Sequence, residues 1–230
     1  MMLDPVYFIF ALPGLLFAML ASFYVKTTFA RYAKVSARSG MTGAQAAAEM
    51  LNRSGVYNVR IERVNGFLSD HYDPSARVLR LSPEVYDSPS LSAIGVACHE
   101  AGHALQHAGN YAFLGLRTAL VPMANLGSML SYPLFFIGLL LSSMPLVKLG
   151  ILLFSAALLF TIVTLPVEWN ASSRAKQAMV NCGLVTPSEA SASASVLNAA
   201  FMTYVASVIS ALLTLLYYLF RAGLLGGRRD

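Results

Sequence analysis

Apolar residues follow two different patterns along this chain. In four stretches they run almost unbroken: Val6 to Val25, about Leu120 to Leu141, Leu146 to Pro166, and about Phe201 to Phe220. Each approaches the twenty or so residues that a helix needs to cross about 30 Å of hydrocarbon. The second stretch carries Pro122 and Pro133, which predicts a kink. The short Ser142 to Pro145 segment should fold the second and third stretches into a hairpin. Asp4 stands where a secretory signal would have a basic region, and the first stretch is long enough for a full span, so it is expected to be a retained anchor.

Between the first two stretches, from about Lys26 to Tyr111, apolar and polar residues are mixed at the periods of ordinary secondary structure. A helix is predicted over Thr42 to Arg53, with Thr42 as its N-cap and Gly55 as its stop. Strands are predicted within Val56 to Val64, Gly66 to Tyr72 and Arg77 to Ser82. The tight-turn signals Asn65-Gly66 and Asp73-Pro74-Ser75 suggest that they pair as a small antiparallel sheet. A further helix, capped by Ser90 or Ser92, should carry Ala93, Val96, His99, His103 and His107 along one face. Val167 to Ala194 reads as another soluble helix, and Gly226 to Asp230 as a frayed tail.

Charge supports this division. Only 12% of residues are charged, against roughly 25% in soluble domains. The net charge is +5, and nine of the sixteen Lys and Arg residues lie between Lys26 and Arg80. Basic residues beside an apolar span fit the positive-inside rule and anionic headgroups, so no nucleic-acid partner is expected. Two cysteines, Cys98 and Cys182, cannot form a disulfide framework and read as small residues in packed helices.

The candidate chemistry lies at His99-Glu100-Ala101-Gly102-His103. Histidines at i and i+4 face the same way on a helix and can share one Zn²⁺, while Glu100 beside them can take a proton from water. Burying two histidines and a carboxylate without a metal would be costly. A third ligand is required. His107 is displaced by about 12 Å along the helix axis from His99, too far to share its metal. Glu168 is the only acidic residue between Glu100 and Glu189, and the hairpin returns it to the side it left. Its alternative role is a carboxylate at a helix start after Pro166.

Four segments in order, HEAGHALQH (His99 to His107), SDHYDP (Ser69 to Pro74), LRLS (Leu79 to Ser82) and PVEWNASSRA (Pro166 to Ala175), resemble the bacterial YugP-like neutral zinc metallopeptidases. The resemblance implies zinc ligands at His99, His103 and Glu168 and a general base at Glu100. The Glu-x-x-Ala-Ser stretch is also distantly similar to HtpX-type membrane proteases, with Ser172 where an Asp would stand. Ser172 or Asn170 would then orient a ligand histidine. The fold expected is an α+β membrane protein: about four transmembrane helices with a small zincin-like domain built from an active-site helix and a short antiparallel sheet. The expected parts are an anchor over 1–25, a soluble zincin-like part over 26–113, a transmembrane hairpin over 114–166, a ligand-bearing helix over 167–200, and a last span with its tail over 201–230.

Other residues admit two readings each. Val78, Leu79, Arg80 and Leu81 form either an edge strand that pairs with substrate or an ordinary sheet strand. His71 or Tyr72 could donate to the oxyanion, whereas Asp70 and Asp73 suit turns. Arg174 could serve the oxyanion or meet lipid phosphate, and His107 fits a supporting place near the site. The function expected is a membrane-anchored zinc endopeptidase acting on membrane or membrane-adjacent polypeptides. The alternative is a scaffold or assembly factor with a structural zinc. A site-2-type intramembrane protease fits less well, because the motif helix begins in polar sequence. The implied setting is a bacterial cytoplasmic membrane, with lipid and a polypeptide substrate as partners, the catalytic part on the cytoplasmic side, and room for a homo-oligomer or membrane partner protein.

Overall fold

A computed structural model describes residues 5–66 and 69–225. Its elements in chain order are α1 (Pro5–Tyr32), α2 (Gly43–Arg53), β1 (Arg60–Arg63), β2 (His71–Asp73), β3 (Val78–Leu81), α3 (Pro83–Tyr86), α4 (Leu91–Ala108), α5 (Ala112–Leu140), α6 (Met144–Asn181) and α7 (Pro187–Arg221). This is an α+β membrane protein with a small sheet and four helices, α1, α5, α6 and α7, long and apolar enough to span a bilayer. The chain divides into two compact units. One comprises the described parts of Met1–Ser22, Gly115–Leu165 and Thr203–Asp230, and the other comprises Phe23–Leu114 and Pro166–Met202.

In the first unit most apolar side chains stay on the outside, with Ile9, Leu20, Leu140 and Leu152 each more than 60% exposed. Lipid is the solvent that makes such a surface stable. Internal contact is made through small residues. A Cβ on Gly127 would lie 2.4 Å from the Leu153 carbonyl oxygen, and one on Gly138 would lie 2.6 Å from the Val147 nitrogen. Those glycines therefore set how closely α5 and α6 approach. The Phe135 and Tyr218 rings stack at 4.0 Å in a small aromatic core. Pro122 and Pro133 both lie within the single helix α5.

The second unit has a conventional core of Met50, Leu51, Leu79, Leu81, Val85, Leu91, Ile94, Met179 and Leu197. Helix α2 begins at a capping box, with the Thr42 hydroxyl accepting from the Gln45 N–H and the Gln45 side chain accepting from the Thr42 N–H. Gly55, at φ 74°, follows it in the left-handed conformation that stops a helix. Ser90 is the residue that caps α4, accepting from the Ala93 N–H.

Two expectations are corrected here. The sheet has the order β1-β3-β2; β2 pairs antiparallel with β3, as expected, but β1 pairs parallel. The link from β1 to β2 must therefore pass β3, which then returns between them. The segment after Pro166 is also not a separate helix: α6 continues through Pro166 to Asn181, and α7 starts at Pro187. The predicted frayed tail, Gly226 to Asp230, lies outside the described residues, as do two residues of the predicted Gly66 to Tyr72 strand.

Candidate metal centre

Helices α4 and α6 meet closely in the second unit because Gly102 has no side chain. A Cβ there would stand 2.6 Å from the carbonyl oxygen of Ala171. One face of α4 carries His99 and His103 one turn apart, with ring centroids 4.8 Å apart. The facing side of α6 carries Glu168. Its Oε2 lies 3.2 Å from His99 Nε2 and 3.5 Å from His103 Nε2. The three side chains are 13%, 12% and 3% exposed, in the order His99, His103, Glu168. Glu168 lies well inside α6, so its carboxylate does not serve a helix start.

The protons on the histidines follow from their other neighbours. The Gln106 amide donates to the Val167 carbonyl at 2.7 Å and to Asn170 Oδ1 at 3.0 Å. A backbone carbonyl only accepts, so Gln106 Nε2 faces it and Oε1 is left facing His103 Nδ1 at 3.0 Å. His103 therefore carries its proton on Nδ1 and turns the Nε2 lone pair toward Glu168. His99 Nδ1 likewise meets the Ser172 hydroxyl at 3.1 Å. The His103 lone pair, His99 Nε2 and a carboxylate oxygen thus converge on one point, an arrangement that suits a cation. Burial works against charging His103, yet the neighbouring Glu168 and Glu100 carboxylates outweigh that and raise its pKa.

The donor set fits zinc in kind and in spacing. Ligand bonds of about 2.0–2.1 Å in a tetrahedral site put donor atoms about 3.3 Å apart. The observed separations of 3.2 and 3.5 Å bracket that value. The three ligand atoms all lie within 4.8 Å of one another, and among the described residues no other His, Cys, Asp or Glu joins the group. Two nitrogen donors and one oxygen leave a fourth tetrahedral position open. Zinc is thus the metal this centre suits, on donor chemistry as well as spacing.

Glu100 stands beside the metal ligands. Its Oε2 accepts from the Tyr72 backbone N–H at 3.1 Å. Burial pushes its carboxyl above the ordinary range, with the two histidines pulling the other way. Tyr72 belongs to β2, one of the two outer strands, and its hydroxyl meets His107 Nδ1 at 2.9 Å. His107 is therefore engaged with Tyr72. His71 is exposed, with Nδ1 2.8 Å from the Ser69 carbonyl and Nε2 3.4 Å from Arg80. Arg174 donates to Asn170 Oδ1 at 2.8 Å, which holds the same oxygen that receives the Gln106 amide. Asp70 accepts from Ser82, and Asp73 binds the turn at Ser75 and Ala76.

The strand expected to meet substrate is corrected by the sheet order. Val78, Leu79 and Arg80 are paired on both sides, to β1 and β2, and Leu81 is paired to β1, so β3 is the central strand rather than an edge. Val78, Leu79 and Leu81 are fully buried, and Arg80 is ion-paired with Asp73. Gln106 is the residue that sequence reasoning missed. Its signal was its place three residues after His103, on the same helical face.

A family model described as "Putative neutral zinc metallopeptidase" matches residues 7–223. The chain belongs to this family. It is also 50% identical, over 198 residues that cover 86% of this chain and 88% of the other, to the "Putative membrane protease YugP" of Bacillus subtilis (strain 168). No solved structure matches the chain. Family membership and the His99, His103, Glu168 cluster together make zinc the cofactor.

Proposed function

We propose that this member of the family is a membrane-anchored zinc endopeptidase of the gluzincin type, cutting membrane or membrane-adjacent polypeptides. The observation that carries the reading is the convergence of His99 Nε2, His103 Nε2 and Glu168 Oε2, with Glu100 beside them as a carboxylate outside the ligand set. A bound zinc would supply Lewis acidity at the open position. Glu100 accepts the proton of the attacking water and returns it to the leaving amine. The Tyr72 N–H fixes the orientation of that carboxylate. Because this N–H points away from β3, a substrate in extended form would lie along β2 rather than β3. Gln106 holds the His103 imidazole in the ligating tautomer, and Ser172 positions the His99 ring.

A structural-zinc scaffold is the weaker reading. Closed structural sites use four protein ligands, whereas this cluster supplies three. Cys98 is packed into the core and Cys182 lies against it. The setting we infer is a bacterial cytoplasmic membrane, crossed several times, with the catalytic unit facing the cytoplasm.

The test is hydrolysis of an unfolded protein or peptide by purified protein carrying about one zinc per chain. Activity should disappear on chelation and return with zinc. Glu100→Gln should keep the metal and the Tyr72 contact but lose on the order of 10²–10⁴-fold in turnover, since the amide cannot accept the proton. Full turnover by this variant, or by metal-stripped protein, would overturn the assignment.

A further inference from the structure

Beside the metal centre lies a cavity of about 560 Å³ whose lining includes Val56, Tyr57, Tyr72, Arg77, His107 and Asn110. That volume is in the range of sites that enclose a small ligand or one large side chain. None of its lining residues is acidic, and none is a metal ligand. Its link to the chemistry is Tyr72, whose N–H holds Glu100 and whose hydroxyl meets His107. The cavity therefore begins one residue away from the general base.

Arg77 differs from the other arginines around the sheet. Arg53 pairs with Glu49, Arg60 with Glu62, Arg63 with Asp87, and Arg80 with Asp73. The Arg77 guanidinium makes no ion pair or hydrogen bond among the described residues, although it lines the cavity. Its backbone is also held at φ 51°, and Asn110 across the lining at φ 50°. The left-handed region costs a residue with a Cβ about 1 kcal/mol, and glycine would occupy it freely. An arginine in that conformation, exposed and unpaired where it lines a cavity, is poised to receive an anion. Burial pushes the Tyr72 hydroxyl up, with the Arg77 charge pulling the other way and the Asp73 carboxylate adding to the rise. The last carbonyls of α4 are taken by the N–H groups of Gly109, Asn110 and Tyr111, and Arg77 is the one Lys, Arg, Asp or Glu among the residues that line the cavity.

We propose that this cavity is a specificity subsite that takes an acidic substrate side chain, glutamate before aspartate, with Arg77 binding its carboxylate. Val56 and the aromatic faces of Tyr57 and Tyr72 suit the methylene stem, and the guanidinium matches a carboxylate in two-pronged geometry. Glutamate's longer stem offers more apolar contact to that lining than aspartate's. The inference rests on the peptidase reading above, and it adds which polypeptides the enzyme prefers.

The experiment has two arms, both on full-length zinc-loaded protein in detergent or nanodiscs. In the first, a peptide library is digested and the cut sites are read by mass spectrometry. Glutamate should be enriched at one fixed position relative to the cut. Arg77→Ala should lower the preference for glutamate over alanine there by about tenfold, the worth of a charge-assisted bond. Arg77→Glu should favour lysine or arginine instead, and Arg77→Lys should keep part of the acid preference. Zinc content reports whether each variant has folded. An unchanged profile in Arg77→Ala and Arg77→Glu would overturn the subsite. In the second arm, a fluorescent glutamate-containing peptide and its lysine counterpart are titrated into the non-hydrolysing Glu100→Gln protein, with and without Arg77→Ala. Tighter glutamate binding that depends on Arg77 supports the subsite even if no peptide is cut, which would count against the peptidase reading alone. Equal binding of the two peptides would overturn the subsite.

Discussion

Gln106 holds the metal centre by a chain of contacts that is local at one end and distant at the other. Its amide joins His103 on its own helix to Val167 and Asn170 on α6, and Arg174 secures Asn170 in turn. The side chain is fully buried, so removing it would strand several polar groups at once. Gln106→Leu keeps the approximate volume while deleting the acceptor for His103 Nδ1. Zinc affinity should fall by about 10–100-fold, the usual effect of losing a partner that orients a ligand. Competition with a chelator of known affinity measures this, and an affinity equal to the parent's would mean that His103 needs no such support. Single residues were legible in the sequence where their chemistry is local. The spacing of His99 and His103 sufficed to put the two rings together on one face of α4, and Thr42 was readable as the cap of α2. Gln106 and Ser172 act across 61 and 73 positions of chain. Nothing short of the fold specifies their roles.

Among the elements, helices were more legible than strands. Long apolar runs announce themselves by length, whereas β1, β2 and β3 hold three or four residues each, too few for a period to fix their pairing. Adjacent turn signals suggested consecutive hairpins, but β1 pairs with β3 and leaves β2 at the edge. The continuity of α6 through Pro166 was hidden for a different reason. A proline inside a helix forfeits one hydrogen bond, and the sequence alone does not reveal that packing around Val167, Ala171 and Ala175, all fully buried, holds the helix together. That continuity gives Glu168 its fixed orientation toward α4. Glu168→Ala should therefore remove most zinc from the purified protein. His107→Ala should leave occupancy near that of the parent, because its ring bonds to Tyr72. Metal analysis of the two variants side by side decides it. Loss of zinc from His107→Ala with retention in Glu168→Ala would exchange their roles.

At the scale of the whole molecule, the distribution of basic residues predicts which way the chain crosses the bilayer. Nine of the sixteen Lys and Arg residues fall between Lys26 and Arg80, while the turn between α5 and α6 contains no charge from Leu141 to Pro145. The positive-inside rule then puts the unit that carries the metal ligands in the cytoplasm and the turn at Ser142 outside. Arg221, Arg228 and Arg229 pull the C-terminal end toward the cytoplasm as well, the last two lying outside the described residues. They are three against nine, and the first charged segment usually dominates. With Cys98 and Cys182 replaced by alanine, single cysteines at Asn52 and Ser142, both exposed, report the two sides. A membrane-impermeant maleimide applied to intact cells should label Ser142→Cys and leave Asn52→Cys unmodified until the membrane is opened. The reverse pattern would place the catalytic unit outside, and its substrates would then be extracytoplasmic polypeptides rather than cytoplasmic ones.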